Sequence, residues 1–166
     1  CSCLEQDEII EKNPFSKIRT KFQEPFCLPK TIPLDEIQEI FTAAYSDLKN
    51  SKKSSFEHEK CIRDIAVLEL LFATGMRVSE LCSLKTEDVN LSDHYIIING
   101  KGSKERVVHI GNKSVITALR MYKSAFCGKI PESGCFFINR LNNRLSEQSV
   151  RTMIVKYTEK ADISRH

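Results

Sequence analysis

Tyr95-Ile96-Ile97-Ile98-Asn99 and Arg106-Val107-Val108-His109-Ile110 are two β-rich runs separated by Gly100-Lys101-Gly102-Ser103-Lys104. β-branched residues favour extended backbone, and a glycine-bearing polar spacer favours chain reversal, so the stretch predicts a β-hairpin. What precedes it reads as helix. Leu34-Asp35-Glu36 opens one, with acidic residues at the positive end of the helix dipole, and Ile37, Ile40, Phe41, Ala44, Tyr45 and Leu48 follow at helical spacing. Residues 59–73 predict a strongly apolar helix that buries Ile62, Ile65, Leu68, Leu71 and Phe72, and Thr74-Gly75 stops it. A short helix follows, carrying Val78, Leu81 and Leu84 inward. Beyond the hairpin, helix returns over about 113–126, with Val115, Ile116, Leu119 and Tyr122 on its stripe. Cys135-Phe136-Phe137-Ile138 predicts a short third strand, and Ser146 caps a last helix whose stripe is Val150, Met153, Ile154, Tyr157 and Ala161. The expected fold class is α+β and mostly helical, with helices around a small antiparallel three-stranded sheet and a lysine-bearing hairpin.

A chain of 166 residues suits one domain with a real core. No apolar run approaches the ~20 residues of a membrane span, and the N-terminus has neither the basic start nor the apolar stretch of a secretory leader. The chain starts at Cys1 without Met, which reads as an internal fragment. Residues 1–13 look like a helix end with Leu4, Ile9 and Ile10 as anchors, broken at Asn13-Pro14. Residues 14–33 hold four of the five prolines and read as an extended linker. The seven cysteines, at 1, 3, 27, 61, 82, 127 and 135, are odd in number and irregular in spacing, and no paired CxxC makes a zinc site. Free thiols in a reducing cytoplasm are expected. No metal or cofactor is expected. His58 and His94 fall in polar loops and His109 ends a strand, so no histidine takes a catalytic role; the terminal His166 has no following sequence to place it.

The net charge of +3 says little, but its distribution says more: residues 101–123 carry Lys101, Lys104, Arg106, Lys113, Arg120 and Lys123 against Glu105 alone. Such a stretch suits a phosphate-binding face, although on charge alone a solvated surface is the favoured reading. Within Ala73-Thr74-Gly75-Met76-Arg77-Val78-Ser79-Glu80-Leu81, Arg77 follows the glycine break between two apolar helices. A guanidinium presents a fixed fork of donors that matches two phosphate oxygens; a single arginine at a helix end is also a common capping or surface residue. Glu80, three residues on, shares its helical face, where it can orient Arg77, hydrogen-bond a neighbouring base, or form a simple ion pair. Lys101, at the hairpin tip between Gly100 and Gly102, can reach a DNA groove and donate a proton to a leaving oxygen, or be a plain solvated turn lysine. It is not part of a nucleotide P-loop, because that glycine-lysine spacing is absent. Lys104 and Arg106 suit sequence-independent phosphate contacts, as do Arg140 and Arg144 in the turn-like segment 139–144.

Several signatures occur in one order: Leu28-Pro29-Lys30, Leu34-Asp35-Glu36-Ile37, the arginine segment with Leu84 and Asp88-Val89, and Gly100-Lys101-Gly102-Ser103-Lys104-Glu105-Arg106. Together they resemble the catalytic domain of the tyrosine recombinase, or phage integrase, family in its Xer-like and integrase branches, over about residues 28–165. The resemblance implies residues 1–27 as the end of a core-binding domain plus linker and 28–166 as the N-terminal part of a catalytic domain. It implies Arg77 as the first phosphate-binding arginine, Glu80 as the acidic residue supporting that centre, and Lys101 as the general acid that protonates the 5′-hydroxyl leaving group. It implies double-stranded DNA as partner, a homo-tetramer on DNA for the full-length protein, and a DNA-associated bacterial cytoplasmic location. The family's His-x-x-Arg box, its further His or Trp and its nucleophilic tyrosine have no match here, and Tyr45, Tyr95, Tyr122 and Tyr157 sit on apolar stripes or in a strand, as core residues do. The chain alone is therefore expected not to cleave DNA. The alternative is a non-catalytic DNA-binding or regulatory remnant of a recombinase.

Overall fold

The computed structural model describes residues 5–6, 8–11, 31–53, 55–100, 105–130 and 134–163. Most of the expected linker over 14–33, the Leu28-Pro29-Lys30 signature, Cys1, Cys3, Cys27, Lys101, Lys104 and His166 lie outside these residues. The chain divides into a unit of residues 1–31 and a unit of residues 32–166. In the first unit, the Glu8 N–H donates to the Glu5 carbonyl at 3.3 Å.

The second unit is built on one buried helix. Helix α1 spans Leu34–Asn50 after Pro33 and carries Asp35 and Glu36 in its first turn. Helix α2 spans Phe56–Thr74, capped by the Ser55 hydroxyl, which accepts from the His58 N–H. Every residue of α2 from Cys61 to Leu70 is buried, which makes it the central element rather than a surface helix with one apolar face. Most of its buried polar atoms are partnered, Asp64 Oδ2 being without a hydrogen bond. Arg63 donates to Asp64 at 2.9 Å, while Glu69 accepts from the Tyr45 hydroxyl at 2.8 Å and from the Ser114 hydroxyl at 2.9 Å. Those last two bonds link α2 to α1 and to α4, which spans Lys113–Ala125.

Helix α3, Val78–Ser83, buries Leu81 and Cys82, and a 3₁₀ turn at Thr86–Asp88 leads into the sheet. The sheet is antiparallel with order β1-β2-β3: β1 is Val89–Asn90, β2 is Tyr95–Asn99 and β3 is Glu105–His109. Ile96 and Ile98 of β2 point fully into the core, with Tyr95 and Ile97 only partly covered, the alternation of a strand with one buried face. Helix α5, Glu147–Lys160, is capped by Ser146 as expected and buries Val150, Met153 and Tyr157.

The α+β, mostly helical fold with a three-stranded antiparallel sheet stands, but three expectations need correction. The third strand is Val89–Asn90, not residues 135–138. That segment makes only isolated bridges, Lys85 with Cys135 and Ile138 with Arg144. Phe136, Phe137 and Ile138 are all buried, which a pleated strand with one inner face cannot do; the Tyr122 hydroxyl instead donates to the Phe136 carbonyl at 2.9 Å and accepts from the Ile138 N–H at 3.1 Å. Phe72 is not buried but 54% exposed, because the last turn of α2 runs past the core; its ring meets Phe41 edge-on at 5.8 Å. Tyr45 is 41% exposed, although its hydroxyl donates to the buried Glu69 at 2.8 Å. Tyr122 and Tyr157 are core residues, as expected.

Removing the Tyr122 hydroxyl leaves a buried N–H and a buried carbonyl without that partner. Tyr122→Phe should therefore cost about 1–3 kcal/mol in urea unfolding. An unchanged unfolding midpoint would contradict this role for the hydroxyl.

Candidate functional site

Gly75 sets the site's backbone. It ends α2 in the left-handed conformation with φ of 59°, its N–H donating to the Leu71 carbonyl at 2.9 Å. Two residues later Arg77 is extended and stands at the N-cap of α3, its carbonyl accepting from the Leu81 N–H. Glu80 occupies the third position of α3, where a carboxylate can turn back onto the cap. Its Oε2 accepts from the Arg77 backbone N–H at 2.9 Å, and its Oε1 accepts from Arg77 Nη1 at 3.0 Å.

A second arginine completes the arrangement. In the sheet Arg106 lies opposite Ile98, so the pleat sends its side chain to the inner face that Ile98 and Val108 share. From there Nη1 donates to Glu80 Oε1 at 3.1 Å and Nη2 to Oε2 at 2.8 Å, a bidentate fork. The Glu80 side chain is only 5% exposed, against 44% for Arg106 and 74% for Arg77. Hydrogen bonds from Arg106, then the Arg77 N–H, hold the Glu80 carboxyl down at about 2, and Glu80 in turn pushes the Arg106 guanidinium further up. Two cations share one anion, so the cluster keeps a formal positive charge at its exposed Arg77 side. Chemically this is a fixed cationic fork facing solvent, suited to an oxyanion.

The structure thus brings Arg77, Glu80 and Arg106 together. Lys101 and Lys104 fall in sequence between the last strand pair, Asn99 with Glu105, outside the described residues. Arg144 lies elsewhere, on a groove with Ser83 and Lys85 that follows the C-terminal end of α3. Arg140 is exposed and lies over the Phe56 ring at 5.0 Å. Arg106, expected among free phosphate contacts, has its fork on Glu80. Sequence reasoning missed that pairing, although alternation along β3 relative to the buried Ile96 and Ile98 carried the signal. Among the described residues no group of three His, Cys, Asp or Glu side chains is placed to hold a metal, and no helix is long and apolar enough to cross a membrane.

The phage integrase family model matches residues 30–166. The chain belongs to the phage integrase family. A tyrosine recombinase from Agathobacter rectalis is 46% identical over 163 residues, covering 98% of this chain and 53% of that protein. The crystal structure of XerA recombinase superposes with a TM-score of 0.69 at 28% identity, over 88% of this chain and 47% of that one. A lambda integrase tetramer bound to a Holliday junction matches with a TM-score of 0.67 at 17% identity, over 99% of this chain and 45% of that one, a likeness of fold. This phage integrase family member therefore spans about half the length of these recombinases.

The depressed Glu80 value sets a sign for stability. The clamp contributes fully above the ordinary glutamate value of 4.5, and its contribution is lost as pH falls to about 2. The stability gap between the natural chain and Glu80→Gln should therefore shrink over that window, as read by chemical unfolding at successive pH values. A gap independent of pH would contradict the clamp.

Proposed function

We propose that the protein carrying this chain is a site-specific tyrosine recombinase that cuts and rejoins double-stranded DNA, and that this chain supplies the N-terminal part of its catalytic domain. The observation that carries the reading is the Glu80 carboxylate, nearly buried and bonded by two arginines, which holds the Arg77 fork exposed at a solvent-facing edge. Family membership and the 46% identical tyrosine recombinase support the reaction class.

In this reading residues 1–27 end a core-binding domain and linker, and residues 28–166 begin the catalytic domain. Arg77 binds the scissile phosphate and stabilises charge on the pentacoordinate phosphorus. Glu80 fixes the rotamer of Arg77 through its carboxylate. Lys101, on the hairpin connection, protonates the 5′-oxygen as it leaves. Lys104, Arg140 and Arg144 contact the DNA backbone. A tyrosine beyond this chain attacks the phosphorus: the Tyr O–P bond forms as the P–O5′ bond breaks, giving a 3′-phosphotyrosyl link. A 5′-hydroxyl from the partner strand reverses the step, so one phosphodiester is exchanged for another without an external energy source. Of the chain's own tyrosines, Tyr122 and Tyr157 are fully buried and so poorly suited to attack. The tetrameric lambda integrase complex, alike in fold, supports a homo-tetramer on DNA. The bacterial relative supports a DNA-associated cytoplasmic setting.

On a nicked suicide DNA substrate the complete recombinase should accumulate a covalent protein–DNA adduct. Arg77→Ala should slow its formation about 10²–10³-fold, the usual loss for one charge-stabilising donor, while most DNA affinity remains. Undiminished adduct formation in that variant would remove Arg77 from the site; no adduct from the unaltered protein would overturn the enzyme reading.

A further inference from the structure

Arg106 and Arg77 meet the same carboxylate in different ways. Arg77 commits one terminal nitrogen and its backbone N–H to Glu80 and leaves most of its side chain in solvent. Arg106 commits both terminal nitrogens, one to each carboxylate oxygen. A phosphate that drew Arg106 away would strip a side chain only 5% exposed of two of its four hydrogen bonds, and the lost bonds would be charge-assisted ones in a poorly solvated site. Arg106 is therefore a poor phosphate ligand despite being partly exposed.

Its position along the strand adds a second argument. Glu105 closes the last pair of the hairpin, and Arg106 is the next residue inward, opposite Ile98. Bonded to Glu80, it ties the base of the hairpin to the third position of α3. Glu80 at the same time holds the Arg77 backbone and side chain. One carboxylate thus joins the element that bears Arg77 to the strand from which the lysine connection departs.

We propose that Arg106 is a positioning residue, which through Glu80 sets the relation between the Arg77 fork and the lysine-bearing hairpin, rather than a DNA-phosphate contact. The proposal rests on the recombinase reading above. Lysine cannot replace it, because an ammonium is a point charge and cannot span both oxygens of Glu80 in the plane of a guanidinium. A phosphate contact, by contrast, is largely kept by lysine.

The test uses the complete recombinase with Arg106→Lys, Arg106→Gln, Glu80→Gln and the Glu80→Gln/Arg106→Gln pair. Binding is followed against salt, and single-turnover adduct formation is followed on a saturating suicide substrate. A positioning role predicts that Arg106→Gln leaves the slope of log affinity on log salt unchanged, whereas loss of a phosphate contact lowers it by about 0.9. It predicts that Arg106→Lys still slows adduct formation at least tenfold, and that the double variant is no slower than Glu80→Gln alone. A reduced salt slope, a Lys variant as fast as the unaltered protein, or independent losses that multiply in the pair would each overturn it. Should Arg106→Gln fail to fold, Arg106→Lys decides by its rate, because lysine would keep the salt slope on either reading. If the unaltered protein forms no adduct, the recombinase reading fails; Arg106 is then judged by its salt slope alone, where a loss of about 0.9 still overturns the proposal and an unchanged slope sustains it.

Discussion

The arrangement at the site depends on one carboxylate. Glu80 accepts four hydrogen bonds, three from guanidinium groups and one from a backbone N–H, and is almost entirely out of solvent. A buried carboxylate with one cation would be a costly group; with two it becomes a junction whose charge is more than balanced. What remains is a positive edge at Arg77. The same contacts cap α3, hold the Arg77 side chain and anchor a strand, so three local features share one cause.

The junction holds because its supports are rigid. The glycine stop at Gly75 places Arg77 three residues after a helix buried from Cys61 to Leu70, and Leu81 and Cys82 pin α3 directly behind Glu80. Ile96 and Ile98 fix β2, and the β2–β3 register fixes Arg106. Around this, Glu69 of α2 links to Tyr45 and Ser114 on neighbouring helices, and Tyr122 of α4 closes the 136–138 segment. Packing within a core like this leaves few alternatives for the elements that present the site.

Much of this was legible in the sequence, for reasons that can be named. Helical spacing in 34–48, the Gly75 stop, the Ser146 cap and the β-branched hairpin runs are local signals, and local signals survived folding. Cys135-Phe136-Phe137-Ile138 misled because an apolar run specifies burial without specifying a strand; its backbone partners, Leu84 and Tyr122, are remote in sequence. Phe72 misled because helical spacing marks a face but not where a helix outruns its core. At the site, Arg77 and Glu80 were readable from their three-residue separation. Arg106 looked like one more surface cation, because its partner is 26 residues away and only strand register brings the two together.

Glu80 is an ionised carboxylate held by two arginines. Titration of its side-chain carboxyl carbon by NMR reads this directly. A midpoint at about 2 is expected, with a rise toward the ordinary value of 4.5 when Arg106 is replaced by glutamine. A midpoint near 4.5 in the unaltered protein, or no response to the loss of Arg106, would contradict it.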